Sequence, residues 1–102
     1  MTTLLPMELD PEIEWRDVHE TGVLAKRLGH SIASGKLVIE IFYDRNGREI
    51  GSLRYDDDGA LKKRVVYEYD EERKPKLILV YDKNSKLIWR QERGKRPEDL
   101  SS

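Results

Sequence analysis

The chain contains no cysteine. That excludes disulfides, thiolate metal sites and cysteine nucleophiles, and it agrees with a reducing compartment. Histidine is scarce: His19 and His30 are the only side chains suited to act as neutral-pH bases, and no serine stands in a nucleophile-elbow context. Nucleophilic catalysis therefore lacks its basic parts. No apolar run approaches the ~18 residues of a membrane span, and Met1-Thr-Thr-Leu-Leu-Pro-Met7 has neither the basic start nor the apolar length of a secretory signal. Excess charge is missing too, since 19 Lys and Arg face 20 Asp and Glu for a net charge of −1. No overall field draws the chain to nucleic acid or membrane. These absences predict a soluble cytoplasmic protein that is not an enzyme and needs no cofactor or metal.

What is present is a single domain's worth of chain, 102 residues that are 37% hydrophobic and 38% charged. A composition of that kind suits a thin sheet with solvated edges better than a thick core. Charge is uneven along it. Residues 1–20 hold Glu8, Asp10, Glu12, Glu14, Asp17 and Glu20 against Arg16, whereas residues 83–96 hold Lys83, Lys86, Arg90, Arg93, Lys95 and Arg96 against Glu92.

The strongest pattern is a small polar residue before glycine: Thr21-Gly22, Ser34-Gly35, Asn46-Gly47 and Asp58-Gly59, spaced by 13, 12 and 12 residues. Such dipeptides mark hairpin turns, because glycine takes positive φ without a Cβ clash. Aligned on the glycine, Tyr43-Asp-Arg-Asn-Gly47, Tyr55-Asp-Asp-Asp-Gly59 and Tyr81-Asp-Lys-Asn-Ser85 share one unit, and Tyr69-Asp-Glu-Glu-Arg73 is a fourth copy read with a Lys74-Pro75 insertion before Leu77. The aspartate is expected to accept a backbone N–H two residues on, and the fifth residue to take the left-handed site of a type I turn with a bulge.

Between turns the segments alternate or are rich in β-branched and aromatic residues. Seven strands fit, at about 12–18, 23–28, 36–43, 48–55, 60–69, 76–81 and 86–92, joined as an all-β antiparallel up-and-down meander, either an open twisted sheet or a small barrel. One face is expected to collect Leu37, Ile39, Ile41, Tyr43, Leu53, Tyr55, Leu61, Val65, Tyr67, Tyr69, Leu77, Leu79, Tyr81, Leu87 and Trp89 as a core. An α+β alternative places a helix over 11–28, with Asp10-Pro11 as its start, on a five-stranded meander. Thr21-Gly22 would break that helix midway, and Ile13 and Trp15 alternate as in a strand. Residues 1–9 and 94–102 read as mobile tails around a core of about 12–93.

The Tyr-Asp-x-x-Gly unit with a following Tyr-x-Tyr-Asp resembles the tandem YD repeat of RHS-type proteins over residues 43–87, most closely at Val65-Val-Tyr-Glu-Tyr-Asp70. In that family the repeats build β-sheet shells around toxins or form extracellular surfaces, and the repeat carries no catalysis. The resemblance implies a bacterial toxin-associated or immunity-like role.

Other constellations reduce to folding chemistry. Asp56-Asp57-Asp58-Gly59 begins like a calcium loop, yet Val65 stands where that loop needs glutamate. His19 and His30, read as turn and loop residues, match no metal spacing. The second face, where Val38, Phe42, Ile78, Val80 and Ile88 interleave with charges, is the expected partner-binding surface, for a protein partner or for self-association as a homo-oligomer. The alternative reading is single-stranded nucleic-acid binding by a basic strip with exposed aromatics, using Lys62, Arg64, Lys76, Trp89, Arg90 and Arg93.

Overall fold

The structure, a computed structural model, describes residues 12–101. Its strands are β1 (Ile13–Glu20), β2 (Val23–Ser31), β3 (Leu37–Tyr43), β4 (Glu49–Tyr55), β5 (Leu61–Tyr69), β6 (Pro75–Asp82), β7 (Leu87–Glu92) and β8 (Glu98–Asp99). They form one antiparallel sheet in the order β1 to β8, open because β1 and β8 are its two unjoined edges. The meander stands as read from the sequence. The described part of the alternative helix, residues 12–28, is instead β1 and most of β2, reversed at Thr21 and Gly22 with φ of 51° and 80°. The C-terminal tail is also corrected. Lys95 N–H donates to the Glu92 carbonyl at 3.0 Å in a turn around Gly94, and Glu98–Asp99 then returns to pair with β7. The tail expected at residues 1–9 lies outside the described residues.

Four turns repeat one construction. Asp44 Oδ1 accepts the N–H of Asn46 at 2.8 Å and of Arg48 at 3.0 Å, while Gly47 holds φ at +80°. Asp56 and Asp82 do the same for Asp58 and Ala60, and for Asn84 and Lys86. Asp70 Oδ1 accepts Lys74 N–H at 2.9 Å, with Arg73 in the left-handed site at φ 67°. Register then corrects the fourth copy. Tyr69 faces Pro75 as Tyr43 faces Glu49, Tyr55 faces Leu61 and Tyr81 faces Leu87, so Lys74-Pro75 is no insertion and Pro75 takes the place that Leu61 and Leu87 fill. Each of these pairs sits where the ladder shifts by one residue, which adds twist beside every turn.

Cross-strand partners share a face. One row crosses all eight strands as Asp17, Arg27, Ile41, Ser52, Val65, Val80, Trp89 and Asp99; the other face carries Val18, Lys26, Phe42, Gly51, Val66, Leu79, Arg90 and Glu98. We call these the tryptophan face and the phenylalanine face. From β3 to β7, apart from the shifted pair beside each turn, each odd-numbered residue opposes an even-numbered one, so the odd apolar positions change face from strand to strand. The single core face expected from the sequence therefore does not exist. Ile39, Ile41, Val65, Tyr67 and Trp89 lie on the tryptophan face, whereas Leu53, Tyr55, Leu77, Leu79 and Tyr81 lie on the phenylalanine face.

With one layer, burial comes from neighbours in the sheet. Ile39 (3% exposed) and Ile41 (6%) are the buried hydrophobic side chains among the described residues. Ile39 is covered because its β2 partner is Gly29: a Cβ there would meet Ile39 Cγ2 at 2.6 Å, Trp15 Cζ3 at 3.0 Å and Ile13 Cγ2 at 3.1 Å. The missing side chain lets Ile13 and Trp15 of β1 reach across β2. This is an aromatic ring covering a strand glycine from the neighbouring strand. Gly29→Val is expected to cost about 2 kcal/mol or more by overpacking. Ser85→Gly, which relieves a non-glycine φ of 63°, should add roughly 0.5–1 kcal/mol. Urea unfolding midpoints of the two variants check both signs.

Candidate functional site

The surfaces available for function are the two faces and the two edges of this sheet. The expected partner-binding residues do not share a face. Ile78 and Val80 lie on the tryptophan face, opposite Tyr67 and Val65 on β5, whereas Phe42 lies on the phenylalanine face with Gly51 and Val66. Val38 follows Phe42 by strand alternation, and Ile88 sits at the ladder shift of β7, where its carbonyl accepts Leu100 N–H at 2.8 Å.

Each face has a shallow depression. On the tryptophan face, one of about 550 Å³ is lined by Arg54, Lys63, Val65, Val80, Ile88, Trp89, Asp99 and Ser101. On the phenylalanine face, one of about 340 Å³ follows from the missing side chain of Gly51 and is bordered by Phe42, Ile50, Leu53, Arg64 and Val66. A Cβ at Gly51 would meet the Val65 carbonyl oxygen at 2.6 Å, so this dent is built into the backbone. Sequence reasoning missed both Gly29 and Gly51 as shaping residues. The available signal was glycine inside a strand, which marks close approach.

The basic strip is not assembled as one surface. Arg64 and Arg90 belong to the phenylalanine face and Trp89 to the opposite one. The cations are also engaged: Arg64 lies 4.5 Å from the Tyr81 ring centroid, Arg90 pairs with Glu98 at 3.6 Å, and Arg93 pairs with Asp70 at 2.7 Å. Lys76 shares a depression with Glu71, Glu72 and Asp70, which dilutes its charge. Lys62 is exposed on β5.

Both histidines lie in strands, His19 in β1 and His30 in β2, rather than in the turn and loop expected. His30 opposes Glu14 while His19 opposes Leu24 near the turn, so the imidazoles sit toward opposite ends of the hairpin. Among the described residues, no group of three or more His, Asp or Glu is placed to hold a metal ion. No helix among them is long and apolar enough to cross a membrane.

The polar chemistry of the faces centres on tyrosine hydroxyls. Tyr55 donates to Glu40 Oε1 at 2.7 Å, and Lys26 Nζ stands 3.5 Å from the same carboxylate. Partial burial, then the hydrogen bond to Glu40, pushes the Tyr55 hydroxyl up to about 12. Burial, then the negative charge of Glu49, pushes Tyr67 up to about 12 as well. Tyr69 donates to the Glu49 carbonyl and is raised chiefly by burial.

No family model matches the chain, and no curated protein matches it in sequence. In fold it is similar to accessory secretory protein 1, 2 and 3 of Streptococcus pneumoniae, at a TM-score of 0.56 and 13% identity, over 94% of this chain and 20% of that one. It is similar also to the GtfA/B complex bound to UDP and GlcNAc, at a TM-score of 0.51 and 14% identity, over 91% of this chain and 25% of that one. These likenesses show the fold. The chain spans about a fifth to a quarter of the length of the structures it matches.

The tyrosines generate a pH prediction. An unfolded tyrosine loses its proton near pH 10, whereas folded Tyr55 and Tyr67 keep theirs to about 12. The folded state then holds protons that the unfolded state has lost, so stability is full below about pH 10 and falls as pH rises toward about 12. Urea midpoints followed across that range should drop in the parent and drop less steeply in Tyr55→Phe; equal slopes would remove the assignment.

Proposed function

We propose that the sheet is a non-enzymatic protein-interaction module of the cytoplasm, binding protein partners through its two apolar-striped faces. The observation that carries this reading is the distribution of apolar side chains. Val65, Val80 and Trp89 stand side by side on one face, Phe42, Val66 and Leu79 on the other, and none of these six is buried. A sheet normally sets an apolar face against a second layer. Here the described chain supplies none, and a partner's surface is the layer that fits.

Two further points support it. The same fold occurs as a fifth to a quarter of larger chains, one of them in a complex, which suits a sheet that serves other proteins. The Tyr-Asp units that give the resemblance to RHS-type proteins are occupied by turn formation, so a toxin-associated or immunity-like role would be exercised by the faces rather than by the repeat. The nucleic-acid reading is the weaker one, because ion pairs and the opposite placement of Trp89 divide the basic residues.

A photo-crosslinking side chain at position 42 or 80, with position 57 in an exposed turn as control, tests the proposal in cells. Protease-sensitive adducts at 42 and 80 and none at 57 are expected. Nuclease-sensitive adducts, or adducts equal at all three positions, would overturn it.

A further inference from the structure

The two edges of the sheet are not alike. At one end the chain folds back over its own edge: β8 pairs with Trp89 and Arg90, Leu100 N–H bonds the Ile88 carbonyl, and Glu98 stands 3.6 Å from Arg90. At the other end β1 runs for eight residues as an outer strand. Natural sheets usually shorten, bulge or cover such an edge, because its free N–H and C=O groups accept another strand.

Which groups face outward follows from one hydrogen bond. Glu12 C=O accepts Ile32 N–H at 2.8 Å, so residue 12 points its backbone at β2. The antiparallel ladder alternates and its register holds from Ile13 to Val18, so Glu14, Arg16 and Val18 also bond β2. Ile13, Trp15 and Asp17 therefore turn their N–H and C=O outward. The side chains of those three lie on the tryptophan face, in one row set with Ser31, Gly29 and Arg27, and Glu14 and Arg16 lie on the phenylalanine face.

We infer that β1 pairs with β1 of a second copy of this chain, antiparallel about a two-fold axis at Trp15. This names the partner for one edge and rests on reading the domain as an interaction module. A two-fold axis perpendicular to the sheet keeps each face continuous, so only pairings between residues of like face are allowed, and charge chooses among them. With Trp15 opposite Trp15, the outward groups of Ile13 meet those of Asp17, and Glu14 opposes Arg16 twice, in the closer, non-hydrogen-bonded positions where cross-strand side chains interact best. Centring the axis one residue away places Arg16 against Arg16 or Glu14 against Glu14. Centring it on Asp17 places that carboxylate against its copy and Glu14 against Glu20. Asp17 in the favoured register keeps its ion pair with Arg27 at 2.9 Å, and Arg27 keeps its place 6.0 Å from the Trp15 ring centroid. The product is a sheet of twice the strands, joined by symmetry at β1 and ending in the short strand β8 at both outer edges.

Sedimentation equilibrium over a concentration series tests the pairing. The parent should dimerise. Glu14→Arg and Arg16→Glu should each weaken the dimer about tenfold or more, and the double exchange should restore it. Both side chains are exposed, so the variants keep the circular dichroism of the parent. A parent that stays monomeric, or a dimer indifferent to the single exchanges, overturns the inference. The two proposals fail separately: a monomer that still gives adducts at positions 42 and 80 removes only the edge pairing, and a dimer lost in Phe42→Lys or Val80→Lys but kept in the single exchanges assigns association to the faces instead.

Discussion

In a one-layer sheet a side chain can be sheltered only by its neighbours along a cross-strand row. Burial then depends on what stands beside each residue more than on its own hydrophobicity, and one empty position can matter more than several filled ones. Gly29 is that position. It lets Ile13 and Trp15 lean across β2 onto Ile39, and the best-covered part of the molecule lies there. Farther along the rows no such gap is spanned, and Val65, Val80 and Trp89 remain partly open to solvent. Arg27, stacked near Trp15 and paired with Asp17, frames the covered region. An exposed pair of this kind contributes little alone.

The aspartate turns decide where the rows fall. By gathering the backbone N–H groups of the loop onto one carboxylate oxygen, Asp44, Asp56, Asp70 and Asp82 fix the same loop length four times. The Asp44 and Asp70 carboxyls are held below their ordinary range, first by the backbone N–H of Arg48 and of Lys74 respectively. Equal loops give an odd register sum at each of the four hairpins from β3 to β7, and the apolar residues are dealt alternately to the two faces. The two-faced character on which the proposed function rests is thus a result of turn geometry.

What could be read from the sequence divides along the same line. Turns were legible because their chemistry is local: an aspartate, a left-handed residue and the chain between them. The strands, their order and the absence of a helix over residues 12–28 followed. The facing of side chains was not legible, since it needs the parity of each pairing and the one-residue shift beside each turn, and both are set between strands. Arg73 obscured where the fourth turn ends, because arginine carries no left-handed preference, so Lys74-Pro75 looked like extra chain. β8 escaped notice because two polar residues, Glu98 and Asp99, show no period. For the candidate surfaces, Phe42, Val80 and Ile78 were identified by residue type, but their division between faces was not.

Each strand of this sheet packs chiefly on the strands next to it in sequence. The molecule is in that respect a linear array, close in its energetics to a repeat protein, with stability spread over successive hairpins instead of pooled in one centre. Its native contacts close short loops, so the search for the fold should be quicker than is usual for all-β chains. Loss of order should begin at the ends and travel inward one strand at a time. Because facing alternates from β3 to β7, such a sheet can be lengthened during evolution by two strands together without turning the remainder inside out, whereas a single added strand would exchange its faces.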